Sequence, residues 1–287
     1  MKLAKVANGG RWAWGLITGK VVHVLSGWTP DASHDTAFNL PARSLAELEK
    51  LAQESVEAIA LDDIVLLPPI SPASKLICLG LNYRAHLAEA NETNMENPGL
   101  FTKVADALVG HGTPVIRPTV SEHFDYEGEI AVVIGRAGRH IAKADSLSHV
   151  FGYTIMLDGS IRDYQQHSVS AGKNFWHSGS LGPWIVTADE IPHPGKLSLQ
   201  TRLNGEVVQA TTADLMIFDI PTAIEYITRW TPLAPGDVIA TGTPAGVGAM
   251  RKPPLWMKNG DSIEITVSHI GTLRNPVRDE MRQGNQS

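Results

Sequence analysis

Residues 124–135 read FDYEGEIAVVIG, and this stretch predicts a buried strand with acidic residues at its start. Side chains alternate between the two faces of a strand, so Glu127 and Glu129 share one face, about 7 Å apart along the chain. The opposite face is almost wholly apolar, which indicates that it is buried. The acidic face also becomes apolar by Ala131, so we expect Glu129 at or below the edge of a core.

Two carboxylates in such a place repel each other, and one would be protonated unless a cation lay between them. Hard cations such as Mg²⁺ and Mn²⁺ prefer oxygen ligands, which this face offers. The competing interpretation is a strand end with solvated acids. Residues 151–157, FGYTIML, predict a second buried strand, and it ends at Asp158. An acid at the end of an apolar strand can reach a pocket, although Asp-Gly pairs more often form plain turns.

Two later segments offer further polar groups. Lys173 lies between a glycine and Asn174-Phe175, where it could project into a cleft or simply be solvated. Residues 238–248, VIATGTPAGVG, predict a strand followed by a glycine loop. The N–H groups and threonine hydroxyls of such a loop can point at an anion. The loop lacks the Lys-Ser/Thr ending of a nucleotide-binding P-loop.

The pattern of the whole chain predicts a β-rich α+β fold. Short apolar strands are separated by glycine and proline, and helices are predicted only at residues 82–89 and 220–230 and in the N-terminal segment. No regular alternation of strand and helix appears, which disfavours a doubly wound sheet. The predicted strands are 76–79, 130–134, 155–157, 184–186, 197–203, 238–240 and 262–267.

Residues 1–70 predict a small N-terminal α+β domain. Residues 12–25 read as a hairpin with a glycine-containing turn, and Ser44 with Glu47 forms a capping box before an amphipathic helix. The proline-rich segment 66–72 cannot continue a helix or a central strand, so we place the boundary there. Residues 71–280 are then the metal-binding catalytic domain, and residues 281–287 are a polar tail that we expect to be frayed.

Composition excludes several classes of protein. The chain has 287 residues and a net charge of −6 without a basic stripe, so nucleic acid is not an expected partner. The apolar runs are too short to span a bilayer, and the first residues lack the apolar stretch of a signal peptide. A single cysteine, Cys78, excludes an intramolecular disulfide framework and fits a reducing compartment. These features predict a cytoplasmic protein that does not interact with membranes.

Taken together, eight short motifs resemble the fumarylacetoacetate hydrolase superfamily, and more closely its acylpyruvase and fumarylpyruvate hydrolase-like bacterial members. The resemblance extends from about residue 75 to residue 277. The motifs are GLNYRAHLAE (80–89), FTK (101–103), DYEGE (125–129), GYTIMLD (152–158), RDYQ (162–165), GK (172–173), LGPW (181–184) and TGTPAGV (241–247).

The resemblance implies a mixed β-sheet roll, generally a homodimer, in which the residues before about 70 form a variable N-terminal domain. It also implies that Glu127, Glu129 and Asp158 bind Mg²⁺ or Mn²⁺. Lys173 is then expected to point at the oxygens of a small 2-oxo acid substrate.

Five more residues receive roles from the same resemblance. Arg162 and Gln165 lie near the site, and Thr243 touches the substrate. His86 and Glu89 match a catalytic pair in a lid, which activates water. Residues three apart lie on one face of a helix, so Glu89 can orient His86 as a base.

Three carboxylates leave roughly three of six octahedral positions open for a 2-oxo acid. The leading hypothesis, which the resemblance implies and this chemistry agrees with, is metal-dependent hydrolysis of a C–C bond in a 2,4-dioxo acid, an acylpyruvate or fumarylpyruvate, to pyruvate and a carboxylic acid. Such a reaction belongs to the catabolism of aromatic compounds or sugar acids. A second hypothesis keeps the metal site for oxaloacetate decarboxylation, or for tautomerisation, isomerisation or hydration of a hydroxymuconate-type diacid. A third is a β-rich binding protein with a fully ligated structural cation.

Overall fold

The computed structural model describes residues 1–30 and 40–281, so the predicted tail at 281–287 lies, apart from Met281, outside the described residues. The strands are β1 Lys2–Asn8, β2 Arg11–Thr18, β3 Val21–Val24, β4 Ala58–Ala60, β5 Val65–Leu67, β6 Leu76–Gly80, β7 Gly99–Lys103, β8 Leu108–Val109, β9 Val115–Arg117, β10 Phe124–Asp125, β11 Gly128–Ile134, β12 Val150–Leu157, β13 Ser160–Ile161, β14 Gly179–Thr187, β15 Ser198–Leu203, β16 Glu206–Thr212, β17 Val238–Ala240, β18 Ser262–Val267 and β19 Gly271–Asp279. The α-helices are α1 Leu45–Glu54, α2 Arg84–Glu89, α3 Arg162–Gln165, α4 Val169–Lys173 and α5 Ile220–Trp230.

A large mixed sheet dominates the molecule. Its strand order is β4-β3-β2-β1-β14-β12-β11-β17-β6-β7, with β5 beside β1 and β8 beside β14. Most neighbours are antiparallel, but β17 with β6 and β14 with β8 are parallel. A second sheet has the order β16-β15-β18-β19-β9. This arrangement confirms the predicted β-rich α+β fold with mixed sheets.

The central strand β11 is buried on both faces. Ile130, Val132 and Ile134 pack into the core that the main sheet shares with the second sheet. Ala131 and Val133 point the other way, into a core that includes residues of the N-terminal segment. The period of two therefore sends alternate residues into two different cores, which explains why the strand becomes apolar throughout after its acidic start.

Most predicted elements are present. β2 and β3 form the expected hairpin, and α1 begins at the capping box of Ser44 and Glu47. The helix α2 begins at Arg84 rather than at residue 82. The reason is that the side chain of Asn82 bonds away from the helix, donating to the carbonyls of Phe218 at 3.0 Å and Thr241 at 2.8 Å.

The N-terminal segment continues the main sheet, because β1 pairs with β14 through Lys2 opposite Val186 and Leu3 opposite Ile185. Its strands therefore lie in the same sheet as the main-sheet strands of residues 71–280. The division of the chain at residue 70 stays a prediction. Within the described parts of the chain, no helix combines the length and the apolar character that crossing a bilayer requires.

Candidate metal centre and active site

The register of β11 and β12 brings the three predicted acids together. Gly128 lies opposite Leu157, so Glu127 and Asp158 face each other just beyond the ladder. The N–H of Asp158 donates to the carbonyl of Glu127 at 2.9 Å. One carboxylate oxygen from each of Glu127, Glu129 and Asp158 lies within 4.8 Å of the others. All three residues are buried.

This group suits a hard divalent cation. Burial raises the pKa of Glu129 well above its ordinary value, and the neighbouring Asp158 and Glu127 raise it further. Like charges gathered away from water are costly unless a positive charge lies among them. An all-carboxylate oxygen set is the donor chemistry that Mg²⁺ and Mn²⁺ prefer. The three acids could therefore hold such an ion.

Lys173, at the end of α4, lies against the same acids. Its Nζ donates to Glu127 Oε2 and to Asp158 Oδ2, both at 2.7 Å. Burial lowers the pKa of Lys173, but the two carboxylates raise it more, and the net pKa is above its usual value. Burial likewise raises the pKa of Glu127, yet Lys173 and Arg162 lower it to about 2. Lys173 is thus an ammonium group beside an ionised Glu127.

A second buried lysine, Lys103, holds the other side of Asp158. Its Nζ lies 2.8 Å from Asp158 Oδ1 and also donates to the carbonyls of Lys173 and Gly159. Sequence reasoning gave Lys103 no role in the site. The available signal was the FTK motif at residues 101–103, which ends in Lys103 and to which no role was given.

Arg162 links the acids to the surrounding loops. Its Nη2 lies 2.7 Å from Glu127 Oε1, and its Nη1 donates to Gln165 Oε1 at 2.9 Å. The third nitrogen, Nε, donates to Asp125 Oδ2 at 2.7 Å. Burial lowers the pKa of Arg162, but Glu127 and Asp125 raise it more. The guanidinium therefore stays charged, with Nε and Nη1 hydrogen-bonded and Nη2 in an ion pair with Glu127.

The glycine loop after β17 differs from expectation, because the anions at its N–H groups are the protein's own carboxylates. Gly242 donates to Glu129 at 2.8 Å, and Gly246 donates to Glu89 at 3.0 and 3.2 Å. Farther along, Gly248 and Ala249 donate to the fully buried Asp125 at 2.7 and 3.0 Å. The threonine hydroxyls of the loop likewise donate to backbone carbonyls of β11. The loop thus holds protein carboxylates in place.

The geometry of this loop requires glycine at two positions. Gly242 has φ +91° and Gly246 has φ +104°, values that L side chains rarely adopt. A Cβ on Gly246 would also lie 2.2 Å from the carbonyl oxygen of Val208. Because neither position tolerates a side chain, the loop can approach the acids closely enough to donate its N–H groups.

His86 and Glu89 form the expected pair on α2. His86 Nδ1 lies 3.1 Å from Glu89 Oε2, and Glu89 is held in turn by the N–H of Gly246. With Nδ1 directed at the carboxylate, Nε2 is the ring nitrogen left for other contacts. His86 is buried as a whole residue but contributes to the wall of a cavity.

That cavity has a volume of about 560 Å³ and lies over the acids. Six of the predicted site residues line it: His86, Glu127, Arg162, Gln165, Lys173 and Thr243. Glu129, Asp158 and Glu89 lie behind this lining. The rest of the wall is largely apolar and includes Leu81, Met95, Leu100, Phe101, Val247 and Met250. The polar groups are thus concentrated around the acids.

Comparison with known proteins gives concordant results. The family model for the fumarylacetoacetate (FAA) hydrolase C-terminal region matches residues 75–278. An oxaloacetate tautomerase of Bacillus subtilis, YisK, is 41% identical over 248 residues, which cover 84% of this chain and 82% of that protein.

Two solved structures resemble the fold along nearly the whole chain. The fumarylacetoacetate hydrolase of Exiguobacterium antarcticum superposes with a TM-score of 0.82 at 33% identity, covering 98% of this chain and 100% of that one. The maleylpyruvate hydrolase of Sphingobium sp. SYK-6, solved with manganese(II) and pyruvate, gives a TM-score of 0.81 at 30% identity, with the same coverage.

Proposed function

This chain belongs to the fumarylacetoacetate hydrolase family, as its motifs predicted, and on that premise we propose that it is a Mg²⁺- or Mn²⁺-dependent tautomerase of oxaloacetate or a closely related 2-oxo diacid. The main observation behind the proposal is the convergence of Glu127, Glu129 and Asp158 beneath a cavity that also contains a histidine. The similarity to a protein named as an oxaloacetate tautomerase supports this choice of reaction.

The metal is proposed to be held by Glu127, Glu129 and Asp158. When bound, it would supply a Lewis acid that polarises the 2-oxo group of the substrate. A ligating carboxylate must be deprotonated, and the lowered pKa of Glu127 agrees with this role. The pKa of Glu129 is raised by burial and by Asp158 and Glu127, and the positive charge of a bound metal would lower it.

Lys173 and Arg162 are proposed to bind the anionic oxygens of the substrate. Both are cations in the cavity wall, and both already contact Glu127. Because the pKa of Lys173 is raised, its ammonium group donates hydrogen bonds and does not act as the base. Gln165 and Thr243 complete the polar part of the wall.

His86 is proposed to move the proton. Among the described residues, four ionisable ones line the cavity: His86, Glu127, Arg162 and Lys173. Arg162 and Lys173 are cations, and Glu127 is paired with both of them, so His86 is the group left to act as a base. In the keto-to-enol direction it takes a proton from C3, the C–H electron pair becomes the C2=C3 double bond, and the π pair of the C2=O group moves onto the oxygen. His86 then donates the proton to that oxygen, which gives the enol. Glu89, which contacts Nδ1, fixes the ring so that Nε2 performs the transfer.

Hydrolysis of a 2,4-dioxo acid is the second candidate, and it remains the prediction that the sequence favoured. Its specific support is the His86–Glu89 pair, which could activate water, together with the apolar wall, which suits an acyl chain. The solved maleylpyruvate hydrolase is a relative with this type of activity in its name.

The test follows two substrates with the Mn²⁺-loaded protein. Decay of the ultraviolet absorbance of enol-oxaloacetate, without release of pyruvate, supports the tautomerase; pyruvate release from oxaloacetate instead indicates decarboxylation. Loss of the diketone absorbance of acylpyruvates with stoichiometric pyruvate supports the hydrolase. Glu129→Ala is the control for metal-dependent catalysis. Rates equal to those of Mn²⁺ alone on every substrate would exclude both candidates.

The predicted homodimer and cytoplasmic location belong to the same proposal. Light scattering on the purified protein should give twice the mass of one chain, which is 31.0 kDa. A monomer at micromolar concentration would contradict the dimer.

A further inference from the structure

Gln209 lies outside the cavity. It contacts Gly128, between the two glutamate ligands, and also the glycine loop after β17. It belongs to β16 in the second sheet and is 2% exposed. Its Oε1 accepts from the N–H of Gly128 at 3.0 Å. Its Nε2 donates to Thr243 Oγ1 at 2.8 Å and to the carbonyl of Pro244 at 3.0 Å. Both amide hydrogens and the amide oxygen are therefore used, which is full satisfaction for a buried amide.

Gly128 is the residue between the two glutamate ligands, and its peptide groups need partners from outside the ladder. On this side of β11, the strand β17 pairs only with residues 131–133. The N–H of Gly128 is taken by Gln209, and its carbonyl accepts from Thr243 Oγ1 at 3.0 Å. Two side chains therefore replace the missing strand at the point where the metal ligands begin.

The backbone at Gly128 also presses directly on the second sheet. A Cβ on Gly128 would lie 2.2 Å from Thr201 Oγ1 and 3.3 Å from side-chain atoms of Ile265. Such contact sets the distance between β11 and the second sheet. Packing alone does not prevent β11 from shifting along its own axis. The hydrogen bonds of Gln209 are directional and supply that restraint.

We propose that Gln209 is a positioning residue of the metal centre: it holds Gly128 and the glycine loop together so that Glu127 and Glu129 converge on one cation. This inference rests on the proposed metal site. Gln209 is not among the cavity-lining residues, so it acts through Gly128 and Thr243 and not on the substrate. Partners of this kind behind metal ligands change metal affinity when they are removed.

The test compares Gln209→Met, which keeps the length but loses the hydrogen bonds, with Gln209→Asn, which keeps the amide but is one methylene shorter. Binding of Mn²⁺ is measured by calorimetry, and the spectrum of bound Mn²⁺ by electron paramagnetic resonance, at a temperature where all proteins are folded. The Mn²⁺ dissociation constant should rise roughly 10- to 100-fold in Gln209→Met. Gln209→Asn should also bind less tightly, because the shorter amide cannot span Gly128 and Pro244 together.

Gln200→Met is the matched control. Gln200 lies on the neighbouring strand β15, opposite Ala210 of β16, and bonds to Arg202, away from the acids. Its replacement should leave Mn²⁺ affinity unchanged. A purely structural role of Gln209 would lower the melting temperature of Gln209→Met while its Mn²⁺ affinity stayed equal to that of Gln200→Met and the parent protein, and that result would overturn the proposal.

The outcomes also separate this inference from the proposed function. If the unmodified protein binds no Mn²⁺, the metal centre itself is wrong. If it binds Mn²⁺ and both Gln209 variants bind within twofold of it, the metal centre stands and only the role of Gln209 is refuted.

Discussion

The floor and the wall of the cavity are built in opposite ways. The floor is charged: Glu127, Arg162 and Lys173 line the cavity there, and Asp125, Glu129, Asp158 and Lys103 are buried behind them. The wall is mostly apolar, with side chains such as Leu100 and Met250. A charged network has few arrangements in which every member is paired, whereas apolar side chains exchange easily for others of similar volume.

This difference separates chemistry from selectivity. We expect the floor to decide whether a metal and a 2-oxo acid bind at all, since it contains the charges that both require. We expect the wall to contact the remainder of the substrate and to decide which acyl or carboxyl group fits. Members of one family can therefore share a floor and catalyse different reactions, which agrees with the different activities in the names of the relatives.

The largest effect should follow from changing the floor. Glu129→Gln keeps the shape of the side chain but removes a charged ligand. Its amide oxygen can still accept from the N–H of Gly242, so the change acts mainly on the metal. We expect Mn²⁺ binding to be lost and the turnover number to fall at least about a thousandfold, which corresponds to about 4 kcal/mol of barrier. Calorimetry and initial rates measure the two effects. Retained Mn²⁺ affinity would contradict the ligand role of Glu129.

The next effect concerns the base. His86→Ala should leave Mn²⁺ affinity unchanged, because the hydrogen bond of His86 goes to Glu89 and not to a proposed metal ligand. Turnover should fall about 10²- to 10⁴-fold, the usual range for a general base. Glu89→Gln, which weakens the orientation of the ring, should give an intermediate rate. Unchanged turnover in His86→Ala would remove this pair from the mechanism.

Stability provides the third test of the floor. Lys173→Met removes a cation from two buried carboxylates, and breaking a buried ion pair costs about 3–5 kcal/mol. The metal-free variant should therefore unfold at lower denaturant concentration, and added Mn²⁺ should recover part of the loss by supplying positive charge. Equal unfolding midpoints for the variant and the parent protein would show that these contacts contribute no net stability.

The wall should respond more weakly and more selectively. Leu100→Ala enlarges the cavity on its apolar side. We expect the KM values of substrates that differ in the group beyond C3 to change by at least about tenfold relative to one another, because a single missing methylene contact already has an effect of that size and Leu100→Ala removes three carbon atoms. Mn²⁺ affinity should stay the same. A uniform change for all substrates, or a loss of metal binding, would show that floor and wall are not independent.

The smallest effect lies far from the cavity. Ser44→Ala removes the cap of α1, where Ser44 Oγ accepts from the N–H of Glu47 at 3.3 Å. The expected cost is about 1 kcal/mol of unfolding free energy, with no change in turnover or in metal affinity. Thermal unfolding and initial rates measure both. A change in turnover would imply that the N-terminal segment influences the site.

Much of the fold and the site was predictable because local patterns encode it. The period of two in residues 124–135 revealed both the strand β11 and the shared face of Glu127 and Glu129. The strand before Asp158 ended as predicted, and the ladder of β11 and β12 then placed that acid opposite Glu127. The remaining site residues came from the family motifs, and their catalytic roles stay predictions.

Other features were not predictable, because their partners are distant in sequence. Gln209 and Gly128 are 81 residues apart, and nothing local to β16 indicates that contact. The strand β19 was missed because it mixes charged residues with a proline and with Asn275, whose polar side chain is nonetheless buried and bonded to Ser180. The roles of Lys103 and Asp125 likewise appeared only with the three-dimensional contacts.

The pairing of β1 with β14 has a consequence for synthesis in the cell. Lys2 and Leu3 find their partners only at residues 185 and 186, so this end of β1 stays unpaired during synthesis until that part of the chain has been made. Until then this part of its edge has unpaired N–H and C=O groups, the kind of edge that recruits other chains. Nascent chains shorter than this should therefore be the most prone to aggregate and to engage chaperones.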